Sequence, residues 1–191
     1  MTAEPKRRLF VAIELPEAVR AEIEDLVRPL RSLDGFRWVP LENLHLTLAF
    51  LGWVETETIG AIEERLARAA AGARSFEARL AGAGRFPERG KARVLWVGFD
   101  DAAGMLTELA GDVQGALEGL FEPEDRPFRP HVTVARAGRP VAVTLPPAAP
   151  ATPHSFAVTA ITLYRSHVGG DHARYEALKR WGLGAQPSAI P

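Results

Sequence analysis

Leu44-His45-Leu46-Thr47-Leu48 is the stretch that decides the fold of this chain, because its pattern returns in the second half as Pro130-His131-Val132-Thr133-Val134. In an extended strand, successive side chains point to opposite faces, so the His and the Thr of each copy share one face. Each copy therefore predicts a strand that packs on one side and carries polar groups on the other. One His-x-Thr match is a weak signal, but two copies inside strand-like runs, about 44–51 and 128–135, indicate one divided active site.

The composition limits the classes of protein that this chain can be. The 191 residues are 47% hydrophobic and 25% charged, with a net charge of -1 and no cysteine. These fractions are typical of a globular protein, and the length suits a single bilobed domain over residues 1–191. Disulfides, thiolate nucleophiles and thiolate metal sites are excluded. A net charge near zero gives no overall field for nucleic acid, so a polyanionic ligand has to meet a local cluster of arginines.

No segment predicts an association with a membrane. The longest apolar runs are far shorter than a bilayer span, and the chain enters its first strand soon after Met1 without a signal peptide. We therefore expect a cytoplasmic protein without a membrane partner.

The remaining segments predict a mixed α+β fold. Strand-like runs lie at 9–13, 36–39, 44–51, 76–80, 94–99, 128–135 and 156–164, and helical patterns lie at about 16–35, 56–72 and 106–120. Asp100 or Asp101 is placed to cap the third helix. The segment 174–183 is compatible with a strand or a short helix. The order of elements falls into two similar halves, each with one motif strand.

Three segments without clear periodicity are predicted to be loops. Residues 82–91 are rich in Gly and Arg, a composition that favours a mobile flap, and residues 169–171 form a turn. The Pro- and Ala-rich segment 140–153 predicts a surface excursion whose role stays open.

The two motif histidines indicate proton transfer. Histidine has an ordinary pKa of about 6.5, so one copy can act as a base and another as an acid near neutral pH. Two of them facing one pocket suit in-line displacement at phosphorus: one imidazole deprotonates the incoming oxygen and the other protonates the leaving oxygen. The hydroxyls of Thr47 and Thr133 are placed to donate hydrogen bonds to the non-bridging phosphate oxygens. A metal site is the weaker interpretation, because neither motif carries a carboxylate nearby and Thr is a poor ligand.

The residue five positions after each motif histidine suggests how a substrate base is held. It is Phe50 after His45 and Arg136 after His131. An aromatic ring and a guanidinium on opposite sides of the pocket could clamp a flat base by stacking and by a cation-π contact. The alternatives are core packing for Phe50 and a surface charge or a phosphate contact for Arg136.

These residues carry a family resemblance that covers nearly the whole chain. The sequence resembles the two-histidine (HxTx) phosphoesterase superfamily, and more closely the bacterial and archaeal RNA 2′,3′-cyclic phosphodiesterases, historically also called 2′-5′ RNA ligases. The resemblance rests on Arg8-Leu9-Phe10-Val11-Ala12-Ile13, Glu42 to Leu48 with Phe50-Leu51-Gly52, Val94-Leu95-Trp96-Val97-Gly98, Pro130 to Arg136, and Leu163-Tyr164-Arg165-Ser166.

The resemblance implies both a fold and an activity. The fold is bilobed α+β with a pseudo-twofold axis, two mainly antiparallel sheets lining a central cleft, and helices on the outside. The activity is hydrolysis of RNA 2′,3′-cyclic phosphate ends, or of nucleoside 2′,3′-cyclic phosphates, to the 2′-phosphate, without metal or other cofactor. We also expect the protein to be a monomer. Because the product keeps the 2′-phosphate, O3′ leaves, and the resemblance assigns His45 as the acid and His131 as the base.

Three alternative functions stay open at the level of sequence. They are 2′-5′ RNA ligation as the main activity, the same chemistry on another small cyclic phosphate such as ADP-ribose cyclic phosphate, and a noncatalytic nucleotide-binding module. The intact pair of histidines argues against the last, because binding alone does not require an acid and a base.

Overall fold

Nine strands and three α-helices form the described part of this computed structural model, which comprises residues 5–123, 126–145, 155–167, 169 and 173–184. The strands are β1 (Lys6–Glu14), β2 (Phe36–Trp38), β3 (His45–Glu55), β4 (Phe76–Phe86), β5 (Ala92–Asp100), β6 (His131–Val141), β7 (Ser155–Val158), β8 (Ala160–His167) and β9 (Arg174–Gly182). The helices are α1 (Glu17–Val27), α2 (Ile59–Gly72) and α3 (Met105–Ala116). The α+β class predicted from the sequence is confirmed.

The strands form two antiparallel sheets, and each motif strand lies in a different sheet. The first sheet has the order β3-β1-β8-β9, and the second has the order β2-β6-β5-β4-β7. In the first sheet the motif strand β3 pairs with β1, and in the second sheet the motif strand β6 pairs with β5. An α-helix lies between the two paired strands in the sequence in both cases, and the first connection also contains β2. The two sheets do not coincide with the two halves expected from the order of elements, because β8 and β9 from the end of the chain join the first sheet and β2 joins the second.

One extra residue interrupts the first motif strand just after its threonine. Thr47 pairs with Ala12 and Ala49 pairs with Val11, so Leu48 has no partner of its own on β1. The carbonyl oxygen of this bulged residue accepts a hydrogen bond from Nε2 of Gln114 on α3, at 2.8 Å.

The second motif strand has the same interruption at the equivalent position. Thr133 pairs with Trp96 and Ala135 pairs with Leu95, which makes Val134 the extra residue. The carbonyl oxygen of Val134 accepts a hydrogen bond from the main-chain N–H of Val39, at 2.8 Å.

The two bulges decide which side chains face the cleft. In a regular strand, a residue five positions after a histidine would lie on the opposite face. An extra residue reverses the alternation beyond it, so Phe50 returns to the face of His45 and Arg136 returns to the face of His131. Both side chains are exposed, and Phe50 keeps 39% of its surface accessible.

The first half of the predicted flap at 82–91 is wrong, because β4 continues through Phe86 and pairs with β5. Gly84 lies opposite Trp96 in this ladder. A Cβ atom on Gly84 would lie 2.1 Å from the Trp96 indole, so glycine lets the large ring lie across the strand. Gly84, one of the glycines that suggested mobility, instead permits close packing, and only residues 87–91 connect the two strands.

The segment 156–164, predicted as one strand, is divided between the two sheets. β7 ends at Val158 and pairs with β4, while β8 begins at Ala160 and pairs with β1 and β9. The alternation of polar and apolar residues continues through the break at Thr159, which is why the sequence pattern did not reveal it. The ambiguous segment 174–183 is the strand β9.

The motif strands differ from their predicted limits at both ends. β3 continues to Glu55, and β6 begins at His131 and continues to Val141. Of the predicted surface excursion 140–153, residues 140–141 are thus strand, 142–145 follow it, and 146–153 lie outside the described residues. The turn predicted at 169–171 is described only at Gly169.

The helices contribute one apolar face each to the core. α1 buries Val19, Ile23 and Val27; α2 buries Ile59, Ile62, Leu66 and Ala70; α3 buries Leu106, Leu109, Ala110 and Val113. The N-cap residue of α3 is Gly104, but Asp101 performs the predicted capping role, because its carboxylate accepts hydrogen bonds from the N–H groups of Leu106 and Thr107, at 2.8 and 3.0 Å. Within the described ranges, no helix is long and apolar enough to cross a membrane.

Candidate active site

A cleft of about 660 Å³ brings the residues of both motifs together. It is lined by all six side chains singled out from the sequence, namely His45, Thr47, Phe50, His131, Thr133 and Arg136. An adjoining cavity of about 640 Å³ shares five of these residues but not His45. The two histidines therefore face a common space from opposite sheets.

The two imidazoles are held in the same way. Nδ1 of His45 lies 2.7 Å from the carbonyl oxygen of Asn43, and Nδ1 of His131 lies 2.7 Å from that of Arg129. A carbonyl can only accept, so Nδ1 carries the hydrogen in each ring. Nε2 is then the nitrogen without the hydrogen in the neutral ring, where it is a proton acceptor.

Aromatic rings surround His45. Its ring centroid lies 4.7 Å from that of Phe10 and 5.1 Å from that of Tyr175. Burial in these surroundings lowers the pKa of His45 to about 4, and the nearby charges of Arg136 and His131 act in the same direction. The hydrogen bond to Asn43 opposes them. In the free protein, His45 is therefore a neutral imidazole at pH 7.

His131 has a comparable aromatic setting on the second sheet. Its ring lies 5.3 Å from Phe86 with the planes at 86°, and 6.1 Å from Trp96. The Trp96 ring lies across Gly84 of β4, so this glycine makes room for a ring that packs near His131.

Thr133 and Arg136 are neighbours on β6. Nη2 of Arg136 lies 3.5 Å from Oγ1 of Thr133. The guanidinium is also close enough to lower the pKa of His45 on the opposite sheet. Arg136 thus lines the cleft beside a hydroxyl that can donate to an anion.

Phe50 has a cationic neighbour that sequence reasoning missed. The guanidinium carbon of Arg8 lies 4.5 Å from the Phe50 ring centroid, and Nη1 of Arg8 donates to Oγ of Ser166 at 3.1 Å. The cation that covers this ring is therefore Arg8, on β1, rather than Arg136. One signal was available: Arg8 and Phe10 lie at alternate positions of an otherwise aliphatic run, as residues on one face of a strand would.

Two further residues of the cleft were missed. Tyr175 contacts His45 from β9, a segment whose sequence pattern was ambiguous. Asn43 holds His45 through its carbonyl oxygen, and its side-chain Nδ2 donates to the carbonyl oxygen of Ala173 at 2.9 Å. Asn43 thus joins the first motif to the start of the strand that carries Tyr175.

The other histidines lie apart from this centre where they are described. Nε2 of His167 lies 2.7 Å from the carboxylate of Glu176. His154 and His172 lie outside the described residues. In the part of the chain that the structure describes, no group of three or more His, Cys, Asp or Glu is placed to hold a metal ion.

Comparisons with known proteins agree on one family. The family model described as LigT-like phosphoesterase matches residues 13–96. The chain is 39% identical to the RNA 2′,3′-cyclic phosphodiesterase of Escherichia coli K12 over 185 residues, covering 95% of this chain and 98% of the relative. A crystal structure from Thermus thermophilus superposes with a TM-score of 0.84 at 31% identity, covering 94% of this chain and 100% of the other. The crystal structure of Escherichia coli LigT complexed with 3′-AMP superposes with a TM-score of 0.79 at 38% identity. It covers 93% of this chain and 98% of the other.

Proposed function

This chain belongs to the LigT-like phosphoesterase family, and we propose that it hydrolyses RNA 2′,3′-cyclic phosphate ends to 2′-phosphate ends by acid-base catalysis between His45 and His131. One observation carries the proposal: both imidazoles line one cleft, and each has its Nδ1 fixed by a carbonyl oxygen at 2.7 Å. The curated relatives named RNA 2′,3′-cyclic phosphodiesterase support the choice of substrate.

Each of the two sheets contributes one histidine to the proposed reaction. Nε2 of His131 accepts a proton from water, whose oxygen attacks phosphorus, while His45 donates a proton to the departing O3′. The P–O3′ bond breaks and the phosphate stays on O2′. The hydroxyls of Thr47 and Thr133 donate to the non-bridging oxygens, where charge redistributes in the transition state.

His45 has to be protonated to act as the acid, although it is neutral in the free protein at pH 7. The bound cyclic phosphate carries a negative charge, and an opposite charge nearby favours the protonated imidazole. Substrate binding therefore raises the pKa of His45 from its value of about 4. The same burial that makes a free imidazolium costly strengthens its attraction to the phosphate.

We assign Phe50 and Arg136 to substrate binding in different ways. Phe50 offers a stacking surface to the terminal base because 39% of its side chain is exposed, although Arg8 lies over its ring at 4.5 Å. Arg136 contacts the phosphate, because it lies beside Thr133 and acts electrostatically on His45.

The site needs only one chain. Both histidines and both threonines come from the same polypeptide, so we propose that a monomer of one domain, residues 1–191, acts without cofactor on RNA ends in the cytoplasm.

The test is product analysis with an oligoribonucleotide that ends in a 2′,3′-cyclic phosphate, in the presence of excess EDTA. We expect an oligonucleotide with a 2′-phosphate end. A 3′-phosphate product would reverse the leaving group, and activity that requires added metal would refute the mechanism. Joined 2′-5′ products in the presence of a 5′-hydroxyl strand would instead favour ligation. Binding without turnover would favour a nucleotide-binding module.

A further inference from the structure

Arg37 lies directly opposite Arg136 in the pairing of β2 with β6. Residues that are directly opposite in an antiparallel pair place their side chains on one face, with Cβ atoms about 4.5–5.5 Å apart, and like charges there are destabilising. Both arginines are exposed, and both line the cleft that contains the histidines. Folding therefore places two guanidinium groups side by side at the rim of the site.

Nothing in the described lining neutralises this pair. None of the described residues that line the cleft of about 660 Å³ carries a carboxylate, and Arg8 adds a third guanidinium to it. Over the described ranges, Arg37 also has no hydrogen bond or ion pair of its own. Other arginines of the chain do have carboxylate partners, as Arg31 has Glu24 and Arg68 has Glu64.

The positive charge exceeds what the reacting phosphate requires. A cyclic phosphodiester carries one negative charge, and in the proposed function Arg136 already meets it. We infer that Arg37 forms a subsite for a second phosphate group of the substrate, next to the phosphate that reacts. This inference rests on the proposed function, which gives the position of the first phosphate. A planar guanidinium that lacks a protein partner is suited to such a group, because it can donate two parallel hydrogen bonds to phosphate oxygens.

The second phosphate has two possible sources with the same chemistry. It can be the internucleotide phosphodiester that precedes the terminal nucleotide of an RNA, or the pyrophosphate of a dinucleotide such as ADP-ribose cyclic phosphate. Either source extends the substrate along the rim from Arg136 towards Arg37.

The experiment compares substrates that differ by one phosphate. kcat/KM is measured for adenosine 2′,3′-cyclic phosphate and for the same compound with a 5′-phosphate, using the wild type and Arg37→Gln. A hydrogen-bonded ion pair with phosphate is expected to give the wild type a preference of about 10-fold or more for the second compound. Arg37→Gln should bring this ratio close to 1 while changing the rate on the first compound by less than about 3-fold. Arg68→Ala removes one positive charge from a residue that does not line the cleft, and it should keep the wild-type ratio.

Two additional readouts complete the test. kcat/KM is also measured for the dinucleotide ApA with a 2′,3′-cyclic phosphate and for ADP-ribose 1″,2″-cyclic phosphate. The comparison shows for which source of the second phosphate Arg37 raises kcat/KM more, and a rise for either supports the subsite. Arg37→Gln should also not lower the melting temperature, because it relieves like-charge repulsion. Equal rates for all substrates in the wild type, or an unchanged preference in Arg37→Gln, would overturn the inference. If the proposed function itself is wrong, adenosine 2′,3′-cyclic phosphate is not hydrolysed at all. That outcome is distinct from the two results that would overturn only the subsite.

Discussion

The imidazole of His45 meets the ring of Tyr175 edge-on, with the centroids 5.1 Å apart and the planes at 88°. With Phe10 at 4.7 Å, this ring shields part of the imidazole from water. Burial is the largest cause of the low pKa of His45, about 4, and it is therefore a property that neighbouring side chains can change.

Replacing Tyr175 with alanine should raise the pKa of His45 from about 4 towards 6.5, because water then reaches the ring. An NMR titration of the imidazole carbons measures it. Tyr175→Phe keeps the ring and should leave the pKa low. An identical pKa in the wild type and Tyr175→Ala would show that burial by Tyr175 is not the cause.

The low pKa also makes stability depend on pH. The unfolded chain binds a proton at His45 near pH 6.5, whereas the folded chain binds it only near pH 4. Stability is therefore complete above pH 6.5 and falls as the pH decreases towards 4. His45→Gln does not titrate. We expect the wild type to lose roughly 1 to 3 kcal/mol more unfolding free energy than His45→Gln between pH 7 and pH 4, measured by urea denaturation. Equal losses would contradict the shifted pKa.

The threonines and Phe50 should affect different kinetic constants. Thr47→Ala and Thr133→Ala remove donors to the phosphate and should lower kcat by roughly 10²-fold with little change in KM.

Phe50→Ala removes a stacking surface and should raise KM by roughly 5- to 150-fold with little change in kcat. Trp53→Ala is the control, since Trp53 is 62% exposed on the same strand but does not line either cavity. An unchanged KM in Phe50→Ala would refute base stacking.

Gly84 is expected to be intolerant of a methyl group. Its Cβ would lie 2.1 Å from the Trp96 ring, which also contacts His131, so Gly84→Ala must displace that ring. We expect a loss of about 1 to 3 kcal/mol in stability, with lower activity. Gly60→Ala is the matched control, because nothing lies within 4 Å of its Cβ and alanine favours a helix. Thermal unfolding compares the two, and similar effects would show that packing against Trp96 does not matter.

Local alternation was enough to predict the motif strands, and with them the shared face of each His and Thr. It was not enough for Phe50 and Arg136, whose return to that face depends on the bulges at Leu48 and Val134. A bulge is a relation between two strands, so one strand's pattern does not contain it.

The local sequence pattern also could not predict which strands belong to which sheet. The strand-like run 156–164 belongs to both sheets, and the partners of His45 come from β1 and β9, at opposite ends of the chain. Strand pairing brings Arg37 beside Arg136. Such contacts are long-range in sequence, and only the folded arrangement reveals them.

The most direct test of the account is the pair of single variants His45→Ala and His131→Ala, together with the double variant, under single-turnover conditions with adenosine 2′,3′-cyclic phosphate. A positioned acid or base contributes about 10²- to 10⁴-fold, so each single variant should slow the reaction by that much. Because the two groups act as a unit, the double variant should be little slower than the slower single variant. Near wild-type turnover in either single variant would contradict the two-histidine mechanism.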